Sequence, residues 1–266
     1  MILHLTDTHF GTERAEVVRG LMGWARQHRP RLIVLSGDVT QRARPRQFGA
    51  ARAFVDALCA ASGIDSARDV LLLPGNHDIP LFNLPLRLLA PYGRYSRFSG
   101  AGLNPLIRRD DTWLIGVNTT RPWRHKHGEI SGAQIERVAA RLRAAPPGAL
   151  RVVVTHQPLW VVQRQDRRDL ARNHAAAARA WCAAGADLFL AGHIHQSFVA
   201  PMPCAPHRAW VVQTGTAVST RVRVQVPNTM HVIDPHPPQT DRRATVWRWD
   251  WNGHAFARVA ETAIPG

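Results

Sequence analysis

The sequence of 266 residues contains only three cysteines, Cys59, Cys182 and Cys204. So few cysteines exclude a disulfide-rich scaffold, and none has the spacing of a metal-binding motif, so we expect all three to be reduced and without a function. No apolar run approaches the roughly 20 residues that cross a bilayer. Met1 leads into the apolar residues 2–5 without the basic flank or the cleavage site of a signal peptide. These absences predict a soluble protein of the cytoplasm.

Acidic side chains are also scarce, because 34 basic residues face 19 acidic ones and give a formal net charge of +15. Such an excess suits polyanions, including nucleic acid, phosphorylated metabolites and anionic membrane surfaces. Lys126 is the only lysine, however, and the arginines are scattered along the chain, as the codon usage of a GC-rich genome would produce. The charge alone therefore identifies no ligand.

Short apolar, β-branched runs alternate with amphipathic stretches in the first three quarters of the chain, which is typical of an α/β fold. Strands are predicted at 2–5, 32–35, 70–73, 113–117, 151–155, 188–191 and 210–213, and helices at 13–28, 45–61, 131–144 and 174–184. From about residue 209 the pattern favours antiparallel strands, including 230–233 and 244–251. We interpret residues 1–266 as a single domain whose strand-rich last part, about 209–266, completes a second sheet.

Polar side chains follow five of the predicted strands, in most cases beside a glycine that allows a sharp turn. Since the carboxyl ends of the strands in an open α/β sheet share one edge, residues distant in sequence should meet there. The side chains in question are Asp7 and His9, Asp38, Asn76 with His77 and Asp78, His156, and His193 with His195.

Carboxylates, an amide oxygen and imidazoles are the ligands of divalent metals of intermediate hardness, such as Mn, Fe, Zn, Co or Ni. These residues are too many for one ion, so a pair of ions that share a bridging carboxylate is the simplest arrangement. Two metals about 3.5–4 Å apart stabilise both the attacking and the leaving oxygen in phosphoryl chemistry.

The blocks D-x-H, G-D, G-N-H-D, a lone His and G-H-x-H occur here in that order, and this series resembles the calcineurin-like metallophosphoesterase family. The resemblance covers about the first three quarters of the chain. It implies a four-layer α/β/β/α sandwich of two mixed sheets flanked by helices. Residues 38–41 and 213–217, together with Arg221, also resemble bacterial members grouped with cyclic-nucleotide phosphodiesterases.

The resemblance implies a role for each residue of these blocks. One metal is bound by Asp7, His9 and His195, the second by Asn76, His156 and His193, and Asp38 bridges the two. A hydroxide shared by the metals is the nucleophile that the family implies. His77 lies beside the scissile phosphate and assists the leaving group, and Asp78 accepts a hydrogen bond from His77 and fixes its tautomer.

Each of these residues has a plainer explanation when it is taken alone, such as a structural histidine or a turn residue. The substrate-binding residues stay unknown, because Arg42, Arg44 and Arg121 could equally be solvated surface residues. The candidates for stacking on a base, each of which could equally cap the core, are Trp123, His125, His127 and Trp160.

The hypothesis is a phosphodiesterase that uses two divalent transition metals and hydrolyses a cyclic nucleotide or a similar small phosphodiester. Within the same chemistry, a phosphomonoesterase, a pyrophosphatase or a nuclease is the alternative, and nucleic acid is the less favoured partner. A catalytically silent scaffold of the same fold, which binds a partner protein, is the alternative from another class. The oligomeric state is not indicated by the sequence.

Overall fold

The fold was obtained as a computed structural model, which describes residues 1–204, 209–237 and 241–266. In these residues the strands are β1 (Ile2–Leu5), β2 (Leu32–Leu35), β3 (Val70–Leu72), β4 (Leu106–Arg108), β5 (Thr112–Gly116), β6 (Leu150–Val154), β7 (Leu188–Ala191), β8 (Phe198–Pro201), β9 (Trp210–Gln213), β10 (Thr229–Pro235), β11 (Arg242–Trp251) and β12 (Phe256–Pro265). The helices are α1 (Ala15–His28), α2 (Pro45–Ser62), α3 (Ser66–Asp69), α4 (Leu84–Leu89), α5 (Gly93–Ser99), α6 (Gly132–Arg143) and α7 (His174–Ala183).

The strands form two six-stranded mixed sheets. The first has the order β12-β11-β10-β1-β2-β3, and the second has the order β4-β5-β6-β7-β9-β8. Strands β1, β2 and β3 run parallel to one another, as do β5, β6, β7 and β9. The parallel strands therefore present their carboxyl ends as a group in each sheet.

The side chains of the parallel strands alternate between two apolar layers. In β2, Leu32 and Val34 point into the core between the two sheets, where they meet residues of the second sheet such as Val152. Ile33 and Leu35 point the other way and pack with α1 and α2. Helices α6 and α7 cover the outer face of the second sheet in the same manner. The result is the α/β/β/α sandwich expected from the motifs, and its strands are continuously apolar because both faces are covered.

The predicted helices and strands all occur, with ends within two residues of those expected. The cap of α6 is also as predicted, because the backbone N–H of Gln134 donates to Ser131 Oγ at 3.2 Å, and the backbone N–H of Ser131 donates to Gln134 Oε1 at 3.0 Å. Six further elements were not predicted from the sequence: α3, α4, α5, β4, β8 and β12. Five of these are only three to seven residues long, and β12 is a largely exposed edge strand.

Residues 209–266 are divided between the sheets and do not complete the second one. Only β9 joins the second sheet, whereas β10, β11 and β12 extend the first. The reason is that β2 occupies one edge of β1 and leaves the other edge free. Strand β10 pairs antiparallel with that free edge, with Ile233 opposite Ile2.

The expectation of three reduced cysteines is wrong for two of them. Cys182 of α7 and Cys204, which follows β8, form a disulfide across a Cα–Cα distance of 6.4 Å. The pairing was missed because β8 was not predicted, and the antiparallel β8–β9 pair returns the chain toward α7. Cys59 is free and buried, and burial raises the pKa of its thiol to about 11. Disulfides are uncommon in the cytosol, so the cytoplasmic location stays a prediction that this pairing does not support.

No helix within the described ranges is both long enough and apolar enough to cross a bilayer.

Candidate metal centre

The residues predicted as ligands lie on five loops, which begin at the carboxyl ends of β1, β2, β3, β6 and β7. Backbone hydrogen bonds join these loops in pairs. The N–H of Asp7 donates to Gly37 O at 3.0 Å within the first sheet, and that of Gly192 donates to His156 O at 3.1 Å within the second. The N–H of His193 donates to Asp7 Oδ2 at 2.9 Å and connects the two sheets. The site therefore lies at the edge where both sets of parallel strands end.

The backbone is strained at the predicted ligands. The structure places Asp7, His9, Asp38, His193 and His195 at φ between 43° and 72°, in the left-handed region. This conformation raises the conformational free energy of a residue with a Cβ by about 1–2 kcal/mol, although Asp, Asn and His tolerate it better than most residues. Strained residues of this kind cluster at functional sites, where the surrounding hydrogen bonds hold them.

Two glycines allow the loops to approach the ligands closely. Gly37 has φ 108°, and a Cβ there would lie 2.5 Å from His156 Nδ1. A Cβ on Gly192 would lie 2.0 Å from Thr6 Oγ1 and 2.6 Å from Asp7 Oδ2. Any larger residue at these positions would displace a predicted ligand.

The first group of ligands, Asp7, His9 and His195, converges as the motifs suggested. Asp7 Oδ1 lies 3.3 Å from His195 Nε2 and 3.6 Å from His9 Nε2, and the two Nε2 atoms are 3.4 Å apart. Atoms at these separations can all reach one cation.

The second group is formed by Asn76, His156 and His193. His156 Nε2 lies 3.3 Å from Asn76 Oδ1, and the rings of His156 and His193 pack edge to face with centroids 5.1 Å apart. The Nδ1–H of His156 donates to Ser36 O at 2.9 Å, which leaves Nε2 free to face the site.

Asp38 lies between the two groups. Its Oδ2 is 3.8 Å from His9 Nε2 of the first group, and its Oδ1 is 3.4 Å from His156 Nε2 of the second. A carboxylate with one oxygen toward each group has the geometry that a bridging ligand requires.

The buried polar atoms of this site fit a pair of divalent cations. Asp7 Oδ1 and His193 Nε2 are both buried without a hydrogen-bond partner. Such atoms are costly to leave unpaired, and a metal ion would satisfy both of them. Carboxylate oxygens, an amide oxygen and imidazole nitrogens are a donor set suited to Mn, Fe or Zn.

The carboxylates and imidazoles of the site lie close enough to shift one another's pKa values. Burial would raise the pKa values of Asp7 and Asp38, but His195 beside Asp7 and His156 beside Asp38 hold both pKa values well below the ordinary range. Burial would lower the pKa of His156, yet Asp38 raises it to about 9. Burial and the neighbouring His156 lower the pKa of His193 to about 3. The two carboxylates are thus ionised and attract positive charge to the site.

His77 lies at the mouth of the site, on the loop that carries Asn76. The Nδ1–H of His77 donates to the backbone oxygen of Gln41 at 2.8 Å, so its Nε2 carries the free lone pair. The ring packs edge to face against His9, with centroids 4.9 Å apart. His77 is therefore placed to exchange a proton with a group bound at the site.

The expected hydrogen bond from His77 to Asp78 is absent from the structure, which corrects the role predicted for Asp78. Residues 76–78 form one turn of 3-10 helix, in which neighbouring side chains diverge by about 120°. The fully buried Asp78 carboxylate accepts hydrogen bonds from the backbone N–H groups of Val39, Thr40 and Gly75 at 2.8–3.0 Å. It thereby joins the Asp38 loop to the Asn76 loop. Burial and the charge of Asp38 raise the pKa of Asp78 to about 6.

Arg221, from the late segment that resembled cyclic-nucleotide phosphodiesterases, contacts His77. Its Nη1 lies 3.1 Å from His77 Nε2 and donates to Gln41 Oε1 at 3.1 Å. Its backbone oxygen accepts hydrogen bonds from His195 Nδ1 and, at 2.8 Å, from Thr216 Oγ1.

Of the other residues considered for substrate contacts, only some lie near His77. Arg42 and His125 line a cleft of about 120 Å³ together with His77 and Phe82. Arg121 instead donates to the backbone oxygens of residues 118 and 120 and to Gln134 Oε1, so it braces its own loop. None of the predicted ligands forms a hydrogen bond or an ion pair with Arg44, Trp123, His127 or Trp160.

Asp169 was not singled out from the sequence, yet its Oδ1 lies 4.0 Å from His193 Nε2. Nothing in its sequence context could have indicated this contact, because residues 164–169 form an arginine-rich 3-10 helix that was not predicted.

Comparison with known proteins supports the motif analysis. A family model described as calcineurin-like phosphoesterase matches residues 1–197. The chain is similar to the 3',5'-cyclic adenosine monophosphate phosphodiesterase CpdA of Escherichia coli (strain K12), with 29% identity over 172 residues that cover 59% of this chain and 55% of that protein. It is also similar to the cAMP/cGMP dual specificity phosphodiesterase MT0825 of Mycobacterium tuberculosis (strain CDC 1551 / Oshkosh), with 28% identity over 210 residues that cover 74% of this chain and 62% of that protein. The chain thus spans little more than half the length of these curated relatives.

The fold also resembles that of a dimetal phosphatase from Danio rerio. The TM-score is 0.62 with 15% sequence identity, and the match covers 99% of this chain and 98% of the other. At this identity the likeness concerns the fold alone, and it agrees with the sandwich described above.

Proposed function

The chain belongs to the calcineurin-like phosphoesterase family, and on that premise we propose that it is a phosphodiesterase with two divalent transition metals. We propose a cyclic nucleotide or another small phosphodiester as the substrate, because the relatives CpdA and MT0825 bear the names of cyclic-nucleotide phosphodiesterases. Manganese, iron and zinc are the metals that the donor set favours. We keep the cytoplasm as the proposed location.

The observation that carries this proposal is the position of Asp38 between two groups of ligands. On one side its carboxylate faces His9, which groups with Asp7 and His195, and on the other side it groups with His156 and His193. One cation would not need a carboxylate shared in this way, whereas a pair of cations would. When bound, such a pair lowers the pKa of water toward neutrality and draws negative charge from the phosphoryl oxygens.

His77 is the residue we assign to the leaving group. Because its Nδ1–H is held by the Gln41 carbonyl, Nε2 is the ring nitrogen that faces the site, and the protonated ring would transfer the proton on Nε2 to the departing oxygen. The hydrogen bond also fixes the orientation of the ring, so the proton is presented in one direction. The role of Asp78 in this proposal is to hold the His77 loop against the Asp38 loop, and not to contact His77.

Arg221 is the residue we assign to the phosphoryl group. No carboxylate in the described part of the chain lies within 4.0 Å of its guanidinium, in contrast to Arg223, which pairs with Asp166 at 3.0 Å. An arginine without an anionic partner beside the catalytic histidine is suited to a phosphoryl oxygen, which it can bind with two N–H groups. Gln41 and Thr216 hold its two ends in place.

The proposal is tested by assaying the purified protein with added Mn²⁺ or with EDTA. The substrates are cyclic AMP, cyclic GMP, a chromogenic diester, a chromogenic monoester and single-stranded DNA. We expect metal-dependent hydrolysis of the diesters and a decrease of about 10²- to 10⁴-fold in turnover for His77→Ala, with its metal content unchanged. His127→Ala, which changes a histidine outside the ligand groups, is the matched control and should retain activity.

Four results would contradict the proposal. A preference for the monoester would indicate a phosphomonoesterase, and cleavage of DNA would indicate a nuclease. Full activity of His77→Ala would remove that residue from the mechanism. Bound metal without hydrolysis of any of these substrates would favour a catalytically silent scaffold.

A further inference from the structure

Large apolar side chains are exposed mainly on one part of the surface. The described residues include nine that are strongly exposed, and eight of them lie on four segments, 80–92, 121–127, 160–169 and 221–226, which we call the site rim. These eight are Phe82, Leu84, Leu88, Leu89, Trp123, Val162, Val222 and Val224. The ninth, Val259, lies on the edge strand β12. Single exposed apolar residues are normal, but a cluster of this kind marks an interaction surface.

The first two segments of the site rim are joined to each other and border the metal centre. Segment 80–92 follows the His77 loop directly and contains α4. The side chain of Arg87 in α4 donates from Nε to the backbone oxygen of Pro122 at 2.6 Å, which brings segment 121–127 beside it. Phe82 and His125, one from each segment, line the same cleft as His77.

The other two segments continue the site rim around the metal centre. Lys126 pairs with Asp169 at 2.6 Å and so joins segment 121–127 to segment 160–169. Arg223 pairs with Asp166 at 3.0 Å and joins segment 160–169 to segment 221–226. Segment 221–226 returns to the site through the contact of Arg221 with His77. The four segments that carry the exposed apolar side chains are therefore joined to one another, and they return to the site at His77.

The site rim is also strongly basic. Its four segments contain nine arginine and lysine residues but only two acidic residues, Asp166 and Asp169. Both aspartates are buried and ion-paired, so they contribute little negative charge to the surface. Arg164, Arg167 and Arg168 are exposed beside Val162.

We propose that the site rim is a docking surface for an anionic lipid bilayer, which would hold the entrance of the metal centre against the membrane. Exposed leucine, phenylalanine and tryptophan side chains enter the boundary of the acyl chains, while arginine and lysine bind the anionic headgroups. No spanning segment is needed for this mode of binding. The excess of positive charge over the whole chain, +15, favours the same kind of surface.

Two other occupants explain the surface less well. A second copy of the chain would place two site rims with the same positive charge against each other, which costs energy. Nucleic acid would suit the charge, but single-stranded bases stack on aromatic rings. Six of the eight exposed apolar residues are leucine or valine, which offer no ring for stacking.

The test is co-sedimentation of the whole protein with vesicles of phosphatidylcholine, either alone or mixed with phosphatidylglycerol. We expect binding to the mixed vesicles that weakens as salt is added. The double variant Leu88→Ser/Leu89→Ser removes apolar side chains that are 76% and 86% exposed, and it should weaken binding by about tenfold or more. Val259→Ser removes an exposed apolar side chain outside the site rim and should bind as the wild type does.

A second pair of variants tests the charge. Arg164→Gln/Arg167→Gln should weaken binding to the mixed vesicles by about fivefold for each charge removed. Arg26→Gln/Arg179→Gln changes two arginines that are also exposed, on α1 and α7, and it should have a much smaller effect. Unfolding curves of all variants ensure that only folded proteins are compared.

The proposal is overturned if the wild type does not bind the anionic vesicles, or if Leu88→Ser/Leu89→Ser binds them as tightly as Val259→Ser does. It is also overturned if the wild type is a dimer that this double variant converts to a monomer, or if the substitutions weaken binding of a single-stranded oligonucleotide and not of vesicles. Vesicle binding is measured without a substrate. Its failure would therefore leave the proposed hydrolase activity unaffected, and loss of that activity would not change the vesicle result.

Discussion

Replacement of Arg221 is the perturbation that separates substrate binding from metal binding in this site. Arg221→Gln keeps an amide that can still donate a hydrogen bond but removes the positive charge beside His77 Nε2. A hydrogen bond from a charged group contributes about 1.5–3 kcal/mol, so a lost contact with a phosphoryl oxygen corresponds to a decrease of about 10- to 150-fold in kcat/KM. Arg221→Lys retains the charge but not the planar fork, and it should recover only part of this loss.

The assay is steady-state hydrolysis of a chromogenic diester with added Mn²⁺, together with measurement of bound metal. Arg223→Gln is the matched control. Arg223 lies two residues after Arg221 in the sequence, but it pairs with Asp166 and forms no hydrogen bond with His77. We expect its kcat/KM to fall much less than that of Arg221→Gln, while both variants retain their metal. If the two variants were equally active, or if Arg221→Gln lost its metal, the assignment of Arg221 to the phosphoryl group would be wrong.

Three further predictions concern stability, and denaturant titration measures each of them. Burial lowers the pKa of His4 to about 3 from 6.5, so the contribution of this residue to the free energy of unfolding is complete above pH 6.5 and falls as the pH drops below it. The wild type should therefore lose about 2 kcal/mol between about pH 7.5 and about pH 5 that His4→Gln does not lose. His254→Gln, which changes an exposed histidine, should show the same loss as the wild type. The disulfide between Cys182 and Cys204 closes a loop of 22 residues, so Cys182→Ser should lower the free energy of unfolding by about 3 kcal/mol. If this variant and the wild type had the same free energy of unfolding under oxidising conditions, the pairing would be contradicted. Asp78→Ala leaves three buried backbone N–H groups without an acceptor and should lower the free energy of unfolding by at least about 3 kcal/mol. A variant that was as stable as the wild type but had lost its activity would instead support the contact with His77 that was first expected for Asp78.

The sequence predicted that the candidate ligands would lie close together because they follow strands that are easy to recognise. Strands such as β2 and β7 are continuously apolar, since both of their faces are covered. Once these strands are placed in parallel, topology brings Asp38 and His193 to the same edge without any knowledge of side-chain packing.

Three other features of the structure depend on local geometry that could not be predicted from the sequence. Asp78 follows His77 directly, which suggested a contact, but the single 3-10 turn of residues 76–78 directs the two side chains apart. The pairing of Cys182 with Cys204 requires β8, a short strand without a clear pattern. The exposure of Leu88 and its neighbours was also unpredictable, because a run of leucines is more typical of a buried helix.

The count of metal ions per chain tests the central claim most directly. After reconstitution with Mn²⁺ and removal of free metal, elemental analysis should find about two ions per chain. Asp38→Asn should reduce that count, because it weakens a side chain whose two oxygens face the two ligand groups, whereas His125→Ala should leave it unchanged. A wild-type protein that retained one ion or none, or an Asp38→Asn variant that retained both, would contradict the account.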